Sequence, residues 1–312
     1  MTRAARRAGR LRAWAELLRL PALVTVPGDA LAGAAAAGAR ADRHTLLAVG
    51  SSVCLYEAGM ALNDWADRAE DAVDRPHRPL PSGRVRPVAA LMAAGALTAA
   101  SLGLAARAGR PALTVALPLA ATVWAYDLVL KHTPAGPAAM AAARALDLLL
   151  GAAATTGRTR SALPSAALLG THTLAVTTVS RTETRGGAPL APLAALTAST
   201  LLARALTHPA PARPRPASGT VPSRGIPTLT RPADAVVAAL SALYAATVAR
   251  PYAHAVLNAS PPLTQRAVGA GIRATVPLQA ALAARSGARG TALVTAALAP
   301  LGARLARKVS IT

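Results

Sequence analysis

Ten apolar stretches run through almost the whole chain, near residues 14–36, 45–63, 88–106, 111–130, 137–156, 162–179, 188–206, 233–252, 266–284 and 289–305. Each approaches or exceeds the length, about 20 residues, that a helix needs to cross a hydrocarbon core. Lipid offers no partner to a free N–H or C=O, so segments of this length cross as helices whose hydrogen bonds are internal. Charged residues make up 15% of the chain and apolar ones 53%, where a soluble domain carries about a quarter charged. A soluble helical protein with so many apolar stretches would lack the polar surface to hold it in water. Several stretches are rich in alanine, and small residues let membrane helices approach closely. The expected fold is therefore all-α: a polytopic transmembrane bundle forming one membrane-embedded domain over 1–312. Polar patches after the second and sixth stretches suggest related halves, 14–156 and 162–284, whose patches face one surface and share one cavity. The Pro-, Arg- and Ser-rich segment 207–232 reads as a flexible connector.

The net charge is +21, from 34 Lys and Arg against 13 acids. In a soluble chain that excess would point to nucleic acid; here the cations flank apolar segments. Arg3, Arg6, Arg7, Arg10 and Arg12 precede the first, and Arg75, Arg78, Arg84 and Arg86 follow the second. Anionic headgroups and the preference for cytoplasmic positive charge account for such placement. We expect a multi-pass protein of the cytoplasmic membrane, with membrane lipids and not nucleic acid as its surroundings. The basic start followed by a full-length apolar stretch reads as a retained first helix. Arg213, Arg215, Arg224 and Arg231 fall on the opposite face by alternation and blur the rule. Cys54 is the single cysteine, which excludes an internal disulfide and a multi-cysteine metal site.

Chemistry concentrates where polar residues interrupt the pattern. Residues 63–75 read Asn-Asp-Trp-Ala-Asp-Arg-Ala-Glu-Asp-Ala-Val-Asp-Arg. On a continuing helix Asn63, Asp67 and Asp71 stand at i, i+4 and i+8, flanked by Asp64 and Asp74. Carboxylates at this spacing repel one another, more so near a low dielectric, and a divalent cation relieves the repulsion. Oxygen donors without His or Cys suit magnesium, which commonly takes a few carboxylates plus substrate phosphates. Arg75 and Arg78 can hold phosphate oxygens bidentately, and Pro79-Leu80-Pro81-Ser82-Gly83 makes a turn that can cover the site. The plainer reading, a solvated loop pairing its own Arg and Asp, seldom lines four acids on one helical face at the end of a span.

The run Asn63-Asp64-x-x-Asp67-x-x-x-Asp71, followed by Arg78-Pro79-Leu80-Pro81-Ser82-Gly83, resembles the first signature of the UbiA superfamily of intramembrane prenyltransferases. The resemblance extends more weakly over most of the chain. It implies about nine helices around a central cavity, and marks 266–284, with Arg273 inside it, as the weakest of the ten candidates. It implies magnesium held by two acidic motifs, heterolysis of an isoprenoid diphosphate, and capture of the allylic cation by an aromatic or other small acceptor. By resemblance Asn63, Asp67 and Asp71 form the first metal-binding set and Asp64 supports them. Tyr126-Asp127…Lys131 is similar to the family's Tyr…Lys element beside the diphosphate, with His132 adjacent. Position alone equally allows Lys131 to be a cation snorkelling to the interface.

The second motif departs from the family's Asp-x-x-x-Asp. Ser180-Arg181-Thr182-Glu183-Thr184-Arg185 keeps Glu183 as its one acid, so Glu183 is the remaining metal candidate and Arg181 a cation to stand in for the metal against the diphosphate. This form is similar to that of the EboC-like branch. The catalytic set implied is Asp64, Arg78, Lys131 and Glu183; the diphosphate set is Arg75, Arg78, Lys131 and Arg181.

Other polar residues lie within apolar stretches. Glu57 sits two turns before Asp64 and is a candidate contact for the acceptor. Arg144 and Asp147 are i, i+3 neighbours and read as an ion pair. Asp29 marks a break in the first stretch. Trp124 and Tyr126 are candidates for stabilising a carbocation, or for packing. The leading expectation is transfer of a prenyl group from its diphosphate to a small acceptor. The alternatives are a terpene cyclase on the same scaffold, disfavoured by seven aromatic residues in all, and a non-catalytic lipid-diphosphate binding or transport component.

Overall fold

The computed structural model describes residues 3–183, 186–187, 189–208 and 232–309, and among them it is helical with no strand. Helix α1 spans Arg3–Leu17, and a 3-10 turn over Leu20–Thr25 leads into α2, Pro27–Ala36. Helices α3 (Arg43–Ala66) and α4 (Arg68–Asp74) carry the acidic run. They are followed by α5 (Pro87–Ala108), α6 (Arg110–Ala125) with a π turn over Tyr126–Leu130, and α7 (Gly136–Thr156). The chain continues through α8 (Leu163–Ser180), α9 (Leu190–Thr207), α10 (Pro232–Leu257), α11 (Pro261–Arg285) and α12 (Arg289–Val309). Eight helices are long and apolar enough to cross a membrane, and Leu23–Ala36 forms a shorter apolar helix beside them. The chain is a multi-pass integral membrane protein. Among the described residues, eight spans and one shorter helix accord with about nine helices around a cavity.

One of the ten sequence segments is corrected, and the weakest of them stands. The stretch 14–36 is broken: α1 stops at Leu17, and Arg19 takes a left-handed conformation, φ 48° and ψ 45°. A residue with a Cβ is disfavoured there, and the turn sends the Arg19 side chain toward the acidic motif. The stretch 266–284, weakest by sequence, belongs to α11, whose most apolar window is 83% buried inside the protein. Its low hydropathy belongs to a helix that faces other helices on every side.

Close packing follows from small residues. A Cβ added at Gly33 of α2 would collide with the Leu148 carbonyl of α7, and one added at Gly151 of α7 would collide with the Ala30 backbone of α2. Helix α3 starts on a capping box. The Asp42 carboxylate accepts from the backbone N–H groups of His44 and Thr45, both at 2.9 Å, while Thr45 Oγ1 accepts from the Asp42 N–H at 3.0 Å. Those donors hold the Asp42 carboxyl below its usual range. Alternation of the spans places the 67–86 segment, the 131–135 turn and residues 181–183 at one end of the bundle.

Candidate active site

The acid stripe survives a break in its helix. α3 ends at Ala66 and α4 starts at Arg68, with Asp67 between them at φ −86° and ψ 4°. The i, i−4 ladder still passes through: Asp67 N–H donates to the Asn63 carbonyl at 2.9 Å, and Asp71 N–H to the Asp67 carbonyl at 2.8 Å. Asn63, Asp67 and Asp71 therefore keep one face.

Each acid meets a cation drawn from elsewhere in the chain. Arg78 Nη1 lies 2.7 Å from Asp71 Oδ2 and 3.6 Å from Asp64 Oδ1. Arg75 Nη1 lies 3.5 Å from the other Asp71 oxygen. Lys131, at the end of the π turn, is ion-paired to Asp67, and His132 Nε2 is 3.8 Å from the same carboxylate. Asp64 and Asp71 are only 4% and 2% exposed, and buried carboxylates require such partners. The turn after α4 closes on itself through Gly83 at φ 71°, where a glycine costs little strain. Arg84 then ties it to α1 by a bidentate pair with Glu16, at 2.6 and 3.0 Å.

The sequence reading missed the role of Arg19 and underrated Asp127. Arg19 Nη2 donates to Asp64 Oδ1 at 3.2 Å. Asn63 Nδ2 donates to Asp127 Oδ1 at 3.2 Å, which leaves the Asn63 side-chain oxygen outside that bond. The π turn, closed by the Lys131 N–H on the Tyr126 carbonyl at 2.9 Å, sets Tyr126 and Asp127 on the cavity wall; such turns often mark functional positions. Pro21 marks a break just after Arg19, which caps the start of the 3-10 turn, but nothing local shows that its side chain reaches Asp64.

The second motif comes to the same end. Arg181 donates to the Thr133 carbonyl, in the turn beside Lys131. Glu183 is half-buried; burial pushes its carboxyl above its usual range, and the charge of Arg75 draws it partly back. Ser180 Oγ donates to the Thr177 carbonyl at 2.9 Å within its own helix. Thr184 lies outside the described residues.

Behind this ring of charge is a cavity of about 290 Å³. Its walls are largely apolar, with Val26, Leu55, Met60, Leu119, Val123 and Met140; Arg19, Asn63, Tyr126 and Asp127 stand at one end and Ser52, Arg144 and Asp147 at the other. Three intramembrane expectations change. Glu57 is buried, neither of its carboxylate oxygens has a hydrogen-bond partner, and it is not part of the cavity wall. Trp124 turns to α5, where its indole N–H donates to Thr98 Oγ1 at 3.1 Å, so of the two aromatics only Tyr126 faces the cavity. Arg144 pairs with Asp29 of α2, Nε to Oδ2 at 2.9 Å, instead of with Asp147; Ser52 donates to Asp147. The i, i+3 spacing allowed the first pairing, but the tight α2–α7 approach presents a closer carboxylate.

The chain is thus a helical membrane bundle enclosing an apolar cavity, with an acid–cation ring at one end. The chain belongs to the UbiA prenyltransferase family, whose model matches residues 23–212. Digeranylgeranylglyceryl phosphate synthase of Methanopyrus kandleri is 37% identical over 129 residues, 40% of this chain and 46% of that protein. The bacteriochlorophyll synthase 33 kDa chain of Rhodobacter capsulatus is 40% identical over 68 residues, 22% of each chain. The chain thus spans about half or less of these curated relatives. The apo structure of a UbiA homolog from Aeropyrum pernix K1 superposes with TM-score 0.63 at 18% identity, covering 83% of this chain and 96% of that one. A UbiA homolog from Archaeoglobus fulgidus, solved bound to DMAPP and Mg2+, superposes with TM-score 0.57 at 16% identity, covering 84% of this chain and 98% of that one. At such identities the likeness is one of fold.

Proposed function

We propose that the protein transfers a prenyl group from an isoprenoid diphosphate to a small acceptor inside the membrane, with magnesium at the acid stripe. The observation that carries this reading is the cavity itself: apolar walls for an isoprenoid chain, open at one end to carboxylates and cations for a diphosphate. The oxygen donors suit magnesium. The carboxylates of Asp67 and Glu70 approach within 4.8 Å, with the His132 imidazole beside them as a nitrogen that magnesium does not need, and Asn63 and Asp71 offer further oxygens along the stripe. Asn63, Asp67 and Asp71 would hold the metal, with Glu183 the one acid available from the second motif. Bound there, magnesium would stabilise the diphosphate as a leaving group.

The chain's own residues do the rest. Arg78 and Lys131 rest on the acids they would cede to metal, so both stand within reach of diphosphate oxygens. Arg19, Arg75 and Arg181 add positive charge around them, and Arg181 offsets what the second motif has lost. Asp64 holds Arg19 and Arg78 in place. The apolar wall excludes water, so the allylic cation meets the acceptor before solvent. The carbon–oxygen bond breaks with its electron pair leaving on the diphosphate. The acceptor's nucleophilic atom bonds to that carbon, and its proton passes to the departing diphosphate. The chain is read as one domain with related halves, in the cytoplasmic membrane, with the charged ring on the cytoplasmic face. The second motif's likeness to the EboC-like branch favours an acceptor outside the quinone pathways.

The reading is tested by giving the detergent-purified protein radiolabelled prenyl diphosphates of several lengths with lipid extract, with and without magnesium. Magnesium-dependent diphosphate release that an Asp67→Asn, Asp71→Asn variant loses is the expected result, and the labelled product separates transfer from cyclisation. The reduced second motif favours one other reading, a binding or transport component; diphosphate binding without turnover would establish it.

A further inference from the structure

At the inner end of the cavity, four helices contribute one polar group. Arg144 of α7 reaches Asp29 of α2 at 2.9 Å and donates from Nη2 to the Thr25 carbonyl at 3.1 Å. Gln279 of α11 donates from Nε2 to Asp29 Oδ1 at 2.6 Å and to the same carbonyl at 2.7 Å. Ser52 of α3 donates to Asp147 of α7. A bundle clamp would bury all of these groups away from ligand. Instead Ser52, Arg144 and Asp147 line the cavity, and the Arg144 side chain keeps 18% of its surface open.

From Gly136, beside the diphosphate end, to Arg144 the helix rises about 12 Å at ~1.5 Å per residue. An isoprenoid tail ending against this group would strip water from the Arg144 guanidinium and the Asp147 carboxylate and return no hydrogen bond. The tail suits the Leu55, Met60 and Met140 side, and the polar floor suits a different molecule. Its charge balance narrows which. One guanidinium faces two carboxylates, so no uncompensated cation remains for an anion while either carboxylate is ionised. A phosphate or carboxylate placed there would add to the negative charge at low dielectric. Hydroxyl groups fit: they accept from Arg144 and donate to Asp147.

We propose that the prenyl acceptor is uncharged and hydroxyl-bearing, and that Arg144 and Asp147 anchor its far end while its reacting end reaches the diphosphate. This rests on the prenyl-transfer reading for turnover, but binding can be measured without turnover. Calorimetry on the detergent-purified protein would use three probes: a neutral alkylglycerol, the same alkylglycerol as its phosphate ester, and 4-hydroxybenzoate. The neutral probe should bind at least tenfold tighter than either anion. Asp147→Asn should narrow that preference tenfold or more, because one negative charge is removed, and Ser52→Ala should weaken only the neutral probe. Where turnover is present, Arg144→Gln should raise the acceptor KM with the donor KM unchanged. Tighter binding of an anion by the native protein, no binding of any probe, or a preference untouched by both Asp147→Asn and Ser52→Ala would overturn the proposal. If the native protein binds the neutral probe selectively yet releases no diphosphate from any donor, the prenyl-transfer reading fails and the anchor stands. Ser52→Ala, which removes one hydroxyl, keeps the test open should Asp147→Asn fail to fold.

Discussion

Arg78 faces two buried acids at once, and its loss is the sharpest single test of how the ring is built. Arg78→Gln leaves Asp71 with only the longer Arg75 contact and Asp64 with only Arg19. Uncompensated buried charge costs several kcal/mol, and we expect detergent-solubilised protein to lose roughly 2 kcal/mol or more, read as a lower midpoint of thermal inactivation. Asp71→Asn in the same protein should restore part of that loss, since the charge that Arg78 balanced is gone; no restoration would show that the two do not act as a pair. Lys131→Met is expected to raise the donor KM tenfold or more, while a lysine serving only as an interfacial anchor would leave it unchanged. The acid stripe and Arg78 were readable in the sequence because their spacing is local. Arg19 and Asp127 were not, because their partners lie 45 and 64 residues away and only folding brings them together. The Arg144–Asp29 pair was misread for the same reason: a near neighbour in sequence was preferred to a nearer one in space.

Among the helices, sequence showed where apolar length lay and was silent about two things that shape the site. One is the break at Leu17 to Arg19, which Arg19 and Pro21 mark only faintly inside an otherwise apolar stretch. The other is burial: α11 reads as weakly apolar, yet it is the span most enclosed by protein, since a helix that touches other helices does not need lipid-facing leucines. The α2–α7 contact gives this scale its prediction. Gly151→Val would force a side chain into the Ala30 backbone, prising apart the two helices that carry Asp29 and Arg144. Overpacking of this kind costs about 1–3 kcal/mol, so a clear fall in thermal midpoint is expected, together with loss of acceptor binding before donor binding. The Asp42 cap is a milder case. Asp42→Ala should cost about 1 kcal/mol or less. Because the folded carboxyl titrates below its ordinary value of 3.8, the cap's contribution is complete above that value and fades as pH falls through the lower folded one. A stability profile flat across that acidic range would remove the cap from the account.

For the molecule as a whole, charge decides which way the bundle faces, and charge is where the sequence left the answer open. The 67–86 segment brings Arg68, Arg75, Arg78, Arg84 and Arg86 to the end that holds the acid stripe. Arg181 joins them through the Thr133 carbonyl, and α1 is tied to them through Glu16 and Arg84. Cations also stand at the other end, at Arg40, Arg43, Arg158 and Arg160, so a count of loop charge alone discriminates weakly. Those at the acid end, however, surround the proposed diphosphate site, and a diphosphate headgroup supplied from the cytoplasm would enter most readily if that end faced it. The bundle should therefore sit with Arg84 toward the cytoplasm and Arg158 away from it. Cys54 is the sole native cysteine, so a Cys54→Ala background permits single cysteines to be placed at these positions and treated with a membrane-impermeant maleimide in sealed vesicles. In right-side-out vesicles Arg158→Cys should label and Arg84→Cys should not, and inverted vesicles should reverse the pattern. The opposite result would put the acid stripe on the outer face and require a donor supplied from there, while labelling of both positions from one side would break the helix alternation on which the site is built.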